Sequence, residues 1–488
     1  MIFRISMSRM LLISFIFVPG PLQVLAQDAG QKVFRAGAYA IDISPLKLPV
    51  IVNGGMTERT ADKITDRLHA RCLVLDDGTT KIAMVAVDSC MVPRDLLDEA
   101  KQMASQATGI PTARMLISAT HTHSAPSVHG CLGSDKDEEY ARFLPPQIAK
   151  GIAEAHARLQ PARIGWAFGK DEKNVACRHW VMKPGTAQTN PFGGTKDDLA
   201  QMNPGPSNPN AIRPTGVPDP AVPVISIQTK DGKPLAVYAA YSLHYVGKTT
   251  PVSADYFAIF CDEIAKRVNA ENGSPFMAAL ANATSGDTWL MDYSQKARRE
   301  YSLEGVAADV ATATMEAYGR IEYFDWVPIV MAESLLSCGV RIPSAEEVTA
   351  AKEFMKSFEG RKPKNVPEVY ARETLLLSEM LPTRELKIQA LRIGPLGIGT
   401  IPNETYASTG LHIKEHSPLK QTFVVELANG CEGYIPPPEL HPLGGYTCWR
   451  ARTACLEPES ERKIRARVLE LLENVAKERN GEQPRKSL

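Results

Sequence analysis

Two histidines one residue apart, His121 and His123, lie in the stretch MLISATHTHSAP at residues 115–126, where a short apolar run gives way to small and polar side chains. Imidazole is the commonest neutral metal ligand, and a zinc site needs three or four donors converging from different parts of a chain. If the backbone stays extended from Thr120 to Ser124, the strand period of two points both rings to one face. An isolated His-x-His is equally a pair of polar loop residues, so the remaining donors must come from elsewhere. Suitable groups recur after other apolar runs: His244 in SLHY, residues 282–287 (NATSGD), Glu404 in PNETY and Tyr446 in GGYT. Two imidazoles and a carboxylate are a common donor set for catalytic zinc. These residues are far apart in the chain and no local His-Glu-x-x-His is present, so spacing alone does not join them.

The elements around these residues put them where chemistry is expected. Residues 81–88 (KIAMVAVD) read as a strand buried on both faces. A helix follows, with Pro93 at its start, Leu96, Leu97, Ala100 and Met103 at helical spacing, and Gly109-Ile110-Pro111 stopping it. Residues 115–119 then form a second buried strand, completing a βαβ unit whose ligands gather at the carboxyl ends of its strands. Further strands are expected at 34–45, 162–168, 276–281, 386–393, 397–402 and 423–427, with a hairpin of 224–228 and 235–240 around Asp231-Gly232. Helices are expected at 138–159, kinked or restarted by Pro145-Pro146, at 255–268, and at 460–477 with Ile464, Val468, Leu471, Leu472 and Val475 on one side. Residues 174–180 (NVACRHW) are polar and aromatic enough to line a site. Residues 183–220 are rich in Pro, Gly, Asn and Thr without apolar periodicity, which fits a functional loop or lid and equally an interdomain linker. The fold class is therefore α/β, with mixed sheets, flanking helices and an active site at the carboxyl ends of strands.

Composition narrows the classes of partner. The 488 residues carry 55 Lys plus Arg against 55 Asp plus Glu, so there is no global basic field of the kind that holds nucleic acid. Arg4 and Arg9 precede an apolar run at 11–18, and Val24-Leu25-Ala26 resembles a signal-peptidase site. Residues 1–26 thus read as a cleaved signal, and the protein as secreted or periplasmic. Export permits disulfides; nine cysteines leave at least one unpaired, and Cys448 and Cys455 are close enough in sequence to pair. Residues 479–488 read as a frayed tail.

The stretch ATHTHSAP at 119–126, the Ala36-Gly37-Ala38 opening that leads to Asp42-Ile43-Ser44-Pro45, Ser242-Leu243-His244, Pro402-Asn403-Glu404 and Gly445-Tyr446-Thr447 together resemble the catalytic domain of the neutral ceramidases. The match spans most of residues 27–478. The resemblance implies Zn2+ held by His121, His244, Glu404 and Tyr446, with His123 and Arg178 facing a substrate amide. It implies an amide-hydrolysing enzyme acting on ceramide or a related N-acyl lipid, and it leaves peripheral membrane contact open. Where ceramidases place a nucleophilic serine beyond Gly-Asp or Gly-Asn, this chain has Gly286-Asp287-Thr288-Trp289. Indole is no nucleophile, so metal-activated water is the expected attacking group, with Asp287 as general base or as the partner that fixes an imidazole tautomer. Ser285 is a nearby hydroxyl, and Trp289 is expected beside the substrate, where an aromatic plane stacks on a sugar as readily as on a lipid chain. A carbohydrate or ester substrate, and a secreted protein that only binds metal, are the alternatives.

Overall fold

The apolar run at residues 81–87 forms the strand Lys81–Val87, and the helix Arg94–Thr108 carries the chain to Met115–Ala119, which pairs with it in parallel. Leu97, Ala100 and Ala104 bury the inner face of the helix, and Gly109 ends it in the left-handed conformation, φ 72°, with its N–H on the Ser105 carbonyl. The same plan recurs twice. Strand Pro234–Tyr241, helix Asp255–Arg267 and strand Met277–Asn282 form a second parallel unit. Strand Leu396–Thr400, helix Ala407–His416 and strand Gln421–Val425 form a third. In the computed structural model the described residues are Ile2, 32–268, 276–478 and 483–487, so the expected signal segment falls, Ile2 aside, outside them. The chain divides into Met1–Lys32 and Val33–Leu488, and the second unit holds all the described regular structure.

The first two parallel pairs lie at opposite ends of a ten-stranded sheet whose central order is 277–282, 234–241, 221–229, 160–170, 35–42, 69–76, 81–87, 115–119. Between those ends the pairing is antiparallel. The sheet curls until its two outermost strands, 115–119 and 277–282, approach each other. The third unit belongs to a four-stranded sheet, Ile329–Gly339, Thr383–Ile393, Leu396–Thr400 and Gln421–Val425. The two sheets share an apolar core that includes Leu116, Ile225, Trp326, Ile398 and Phe423. Backbone bonds join their ends: Ala119 N–H to the Leu427 carbonyl at 3.1 Å, Asn429 N–H to Ile117 at 2.8 Å and Glu426 N–H to Asn282 at 3.0 Å.

Several expectations need correction. Helix Glu138–Ala157 runs unbroken through Pro145 and Pro146, capped by the Asp137 side chain on Tyr140 N–H. It lies against strands 35–42 and 69–76 so closely that a Cβ at Gly37 would collide with the Ala155 carbonyl, and this packing outweighs the missing proline donors. Residues 183–220 are not structureless: Ala200–Met202 and Ala211–Pro214 flank His179–Met182 in a three-stranded sheet. The tail is not wholly frayed, because Arg485–Lys486 pairs with Tyr323–Trp326. All nine cysteines are buried free thiols, Cys448 and Cys455 included. Helices Leu303–Tyr318, Ala345–Met355 and Val366–Ser378 add to the expected set. No described helix is long and apolar enough to cross a membrane.

Lys101, on the inner face of helix Arg94–Thr108, is fully buried with its Nζ 2.6 Å from Asn429 Oδ1. Burial, helped by nearby Lys387, pulls its pKa down to about 7, against about 10.4 for an unfolded lysine. Between those values the unfolded chain binds more protons than the folded one, so this residue makes stability rise with pH. Urea unfolding across that window is expected to show the rise in wild type and to lose this component in Lys101→Met.

Candidate metal centre

Val87 and Ala119 end the parallel pairing of the first unit, and Thr120 N–H still bonds the Val87 carbonyl. The chain then turns. His121 adopts φ 74°, in the left-handed region, with its N–H on the Ser89 carbonyl at 2.9 Å. The backbone is therefore not extended through the His-x-His, and the two rings reach one pocket by a turn instead of by strand alternation. The His123 ring is held between Tyr245, stacked on it at 3.7 Å between centroids, and Gly54, φ 99°, where any Cβ would strike the imidazole.

Three electron-rich atoms surround His121 Nε2. His244 Nε2 and His123 Nε2 are each 3.0 Å away, and Glu404 Oε2 is 3.2 Å away. His121, His244 and Glu404 are all essentially buried and present their ligand atoms within 4.8 Å of one another. His121 Nδ1 is 2.7 Å from the Cys90 carbonyl, which fixes the proton there and leaves Nε2 with its lone pair outward. Burial, with Arg178 and the neighbouring imidazoles, holds the His244 pKa well below its ordinary value; burial, with His121 and Arg178, does the same for His123. Neutral imidazoles are what metal binding requires. Glu404 Oε2 has no hydrogen-bond donor. Lone pairs and a carboxylate facing one another at this range repel, and a cation placed among them removes the conflict. The separations approach the edge of about 3.3 Å expected for a tetrahedron with zinc–nitrogen bonds of ~2.0 Å. The donor set fits a divalent metal.

Arg178, 4% exposed, closes one side. Its Nη2 donates to the Gly286 carbonyl at 2.9 Å and the Tyr434 hydroxyl at 3.3 Å, and lies 3.3 Å from His244 Nε2. Burial works against its charge, but Tyr446, Tyr434 and Glu404 outweigh that and raise its pKa, so it stays a cation. Tyr434 is the residue that sequence reasoning missed. Its strand, Tyr434–Ile435, runs parallel to Glu404–Thr405, so the phenol lines the same pocket as Glu404 and accepts from Arg178. Tyr446 lines the same pocket and packs edge-on against Tyr434, 5.8 Å between centroids. Both phenols therefore border the pocket that holds the donor set.

The remaining predicted residues do not line this pocket, whose volume is about 210 Å³. Asp287 turns its carboxylate away: Oδ1 accepts from Ala407 N–H at 2.8 Å, at the start of helix Ala407–His416, and Oδ2 lies 3.7 Å from Cys177 Sγ. Burial pushes its pKa up to about 6. Ser285 donates its hydroxyl to Glu426 at 2.6 Å. The Trp289 indole N–H bonds the Tyr245 carbonyl at 3.0 Å, and its ring packs on Tyr301. No serine lines the pocket among the described residues.

Glu426 holds the surrounding strand ends together. Fully buried, it accepts from Ser285 Oγ and N–H, Asn282 Nδ2 and Thr405 N–H, the last at 2.6 Å. The exits of strands 277–282 and 396–400 are thereby tied to that of 421–425.

The fold is that of the solved neutral ceramidases. The chain superposes on the crystal structure of neutral ceramidase from Pseudomonas aeruginosa with a TM-score of 0.68 and 16% identity, over 92% of this chain and 75% of that one. A ceramidase complexed with C2 gives 0.66 and 15%, over 91% and 75%. In sequence the chain is 21% identical over 305 residues to neutral ceramidase B of Dictyostelium discoideum, spanning 59% of this chain and 39% of that protein. No family model matches the chain.

Removing Glu426 strands several buried donors, each worth about 1–3 kcal/mol. Glu426→Ala is expected to lower unfolding free energy by about 2–5 kcal/mol in denaturant titrations, and to weaken metal retention even though it contributes no ligand atom.

Proposed function

We propose that this protein is a zinc-dependent hydrolase of the neutral ceramidase type that cleaves the amide bond of an N-acyl lipid with water as nucleophile. The observation that carries this reading is the convergence of His121, His244 and Glu404 in one pocket, with Arg178 and His123 beside them. When bound, zinc supplies an acidified water, its pKa brought to ~7, and a Lewis-acid contact for a carbonyl oxygen. The chain's own groups do the rest. Arg178, a fixed cation anchored on Gly286, and His123, clamped between Tyr245 and Gly54, face the place where the amide oxygen gains negative charge. Tyr434, beside Glu404 in the pocket lining, accepts from Arg178 and steadies its guanidinium. Among the described residues Glu404 is the one carboxylate that lines the pocket, so it is the carboxylate within reach of the water's proton. Water adds to the carbonyl carbon, the C–N bond breaks, and the departing amine takes a proton. Among the described residues no serine lines the pocket, which supports water over a covalent seryl intermediate.

The amide-lipid substrate is supported by the names of the similar proteins, ceramidases in each case. The carbohydrate reading drew on Trp289, whose indole is turned to Tyr245 and Tyr301 and so lends it no support. A purely structural metal site fits poorly with donors that open onto a cavity. Export, with residues 1–26 as its signal, is part of the proposal and rests on their composition alone.

Elemental analysis of wild type and His121→Ala, with hydrolysis of a fluorogenic short-chain ceramide, tests the reading. One zinc per chain is expected in wild type, lost in the variant, with chelator-sensitive release of fatty acid. Zinc without amide cleavage would move the substrate elsewhere; absence of zinc would overturn the mechanism. Arg178→Ala is expected to keep the metal and lower kcat by about 10²–10³-fold, read in steady-state kinetics on the same substrate.

A further inference from the structure

An apolar groove of about 750 Å³ lies between the loop at 188–194 and the helices Ala345–Met355 and Val366–Ser378. It shares a wall with the metal pocket, because Tyr370 lines both. The loop wall is a built structure. Asn190 accepts from Phe192 N–H at 2.8 Å and donates to Asp198 at 3.1 Å. Asp198 in turn accepts from Gly445 N–H at 2.9 Å and Trp449 Nε1 at 2.7 Å, which fastens the loop to the turn bearing Tyr446. Phe192 meets the Tyr370 ring edge-on at 5.6 Å, and Tyr370 meets Trp449 at 5.5 Å. Phe192 and Phe354 remain 38% and 44% exposed at the groove, an arrangement that leaves large apolar surface in water unless something covers it.

The groove offers no free charge. Its one acidic side chain, Glu347, is paired with Arg450 at 2.6 Å and accepts from Ser344 N–H. The occupant it fits is therefore hydrocarbon. The metal pocket, at about 210 Å³, is below the range of about 300–1,000 Å³ typical of ligand sites, whereas the groove lies within it. We propose that the groove lined by Phe192, Ala350, Phe354 and Tyr370 receives a long hydrocarbon chain of the substrate whose amide is held at the metal centre. This rests on the amide-hydrolase reading above and adds where the chain is bound. It makes the 183–220 segment a specificity element, with Tyr370 at the junction between chain and reacting bond.

Ala350 is an exposed helical position facing the groove, so Ala350→Trp fills it without disturbing the core, and Phe192→Asp places a charge on its opposite wall. Each variant is compared with wild type on matched short- and long-chain amides, the long chain carried in one series by the acid and in another by the amine. The expected result is a fall of at least about tenfold in the long-to-short ratio of kcat/KM, in one series, for both variants. An unchanged ratio in both series overturns the groove and leaves the hydrolase reading standing. If wild type cleaves neither length, that reading fails, and the groove is judged by titration with the fluorescent fatty acid cis-parinaric acid. Saturable binding lost in Ala350→Trp supports it, and no binding overturns it.

Discussion

The structure is organised around a repulsion. Two imidazole nitrogens and a carboxylate oxygen lie 3.0–3.2 Å from His121 Nε2, on side chains that are almost wholly buried around a small pocket, and lone pairs brought that close repel unless a proton or a cation stands between them. An arrangement of this kind persists only if the surrounding chain over-determines it. Much of what packs around the pocket can be understood as that restraint: Cys90 fixes one ring, Tyr245 and Gly54 trap another, and Glu426 and Asp287 tie the strand exits and the helix at 407–416 into one block. Asp287 and Ser285, residue types that suggest catalysis, act here as struts.

The repeated unit explains how distant residues meet. Three parallel strand pairs, each crossed by a helix, direct their carboxyl ends to one place, and His121, His244 and Glu404 follow strands of three different pairs. The general tendency of ligands to gather at such ends is served by two separate sheets whose edges are stitched by backbone bonds.

The first of these units was readable from residues 81–119 because buried strands and an amphipathic helix leave strong periodic signals, and the boundaries of Ser460–Lys477 were readable for the same reason. His121, His244 and Glu404 were identifiable as polar groups ending apolar runs. Tyr434 was not, since its position depends on a two-residue parallel pairing with Glu404 that no local pattern announces. The short strands inside 183–220 have too few residues to show alternation. Trp289 looked like a substrate-facing residue by its place in the sequence, and only the turn at Tyr245 reveals that its indole faces away. Period-two reasoning placed both histidines on one face, and they do share a pocket, but the left-handed turn at His121 is what brings them there.

The stitch between the sheets also bears on how the molecule assembles. Ile117 and Asn429 are 312 positions apart, and their backbone and side-chain bonds lie on the route from the first parallel unit to the third. Loop-closure entropy makes contacts of such separation late and slow to form. During synthesis the helices and hairpins of the first half can settle while Glu404 is still unmade. The pocket cannot be complete until the two sheets have docked, so retention of metal through His121, His244 and Glu404 would report that docking.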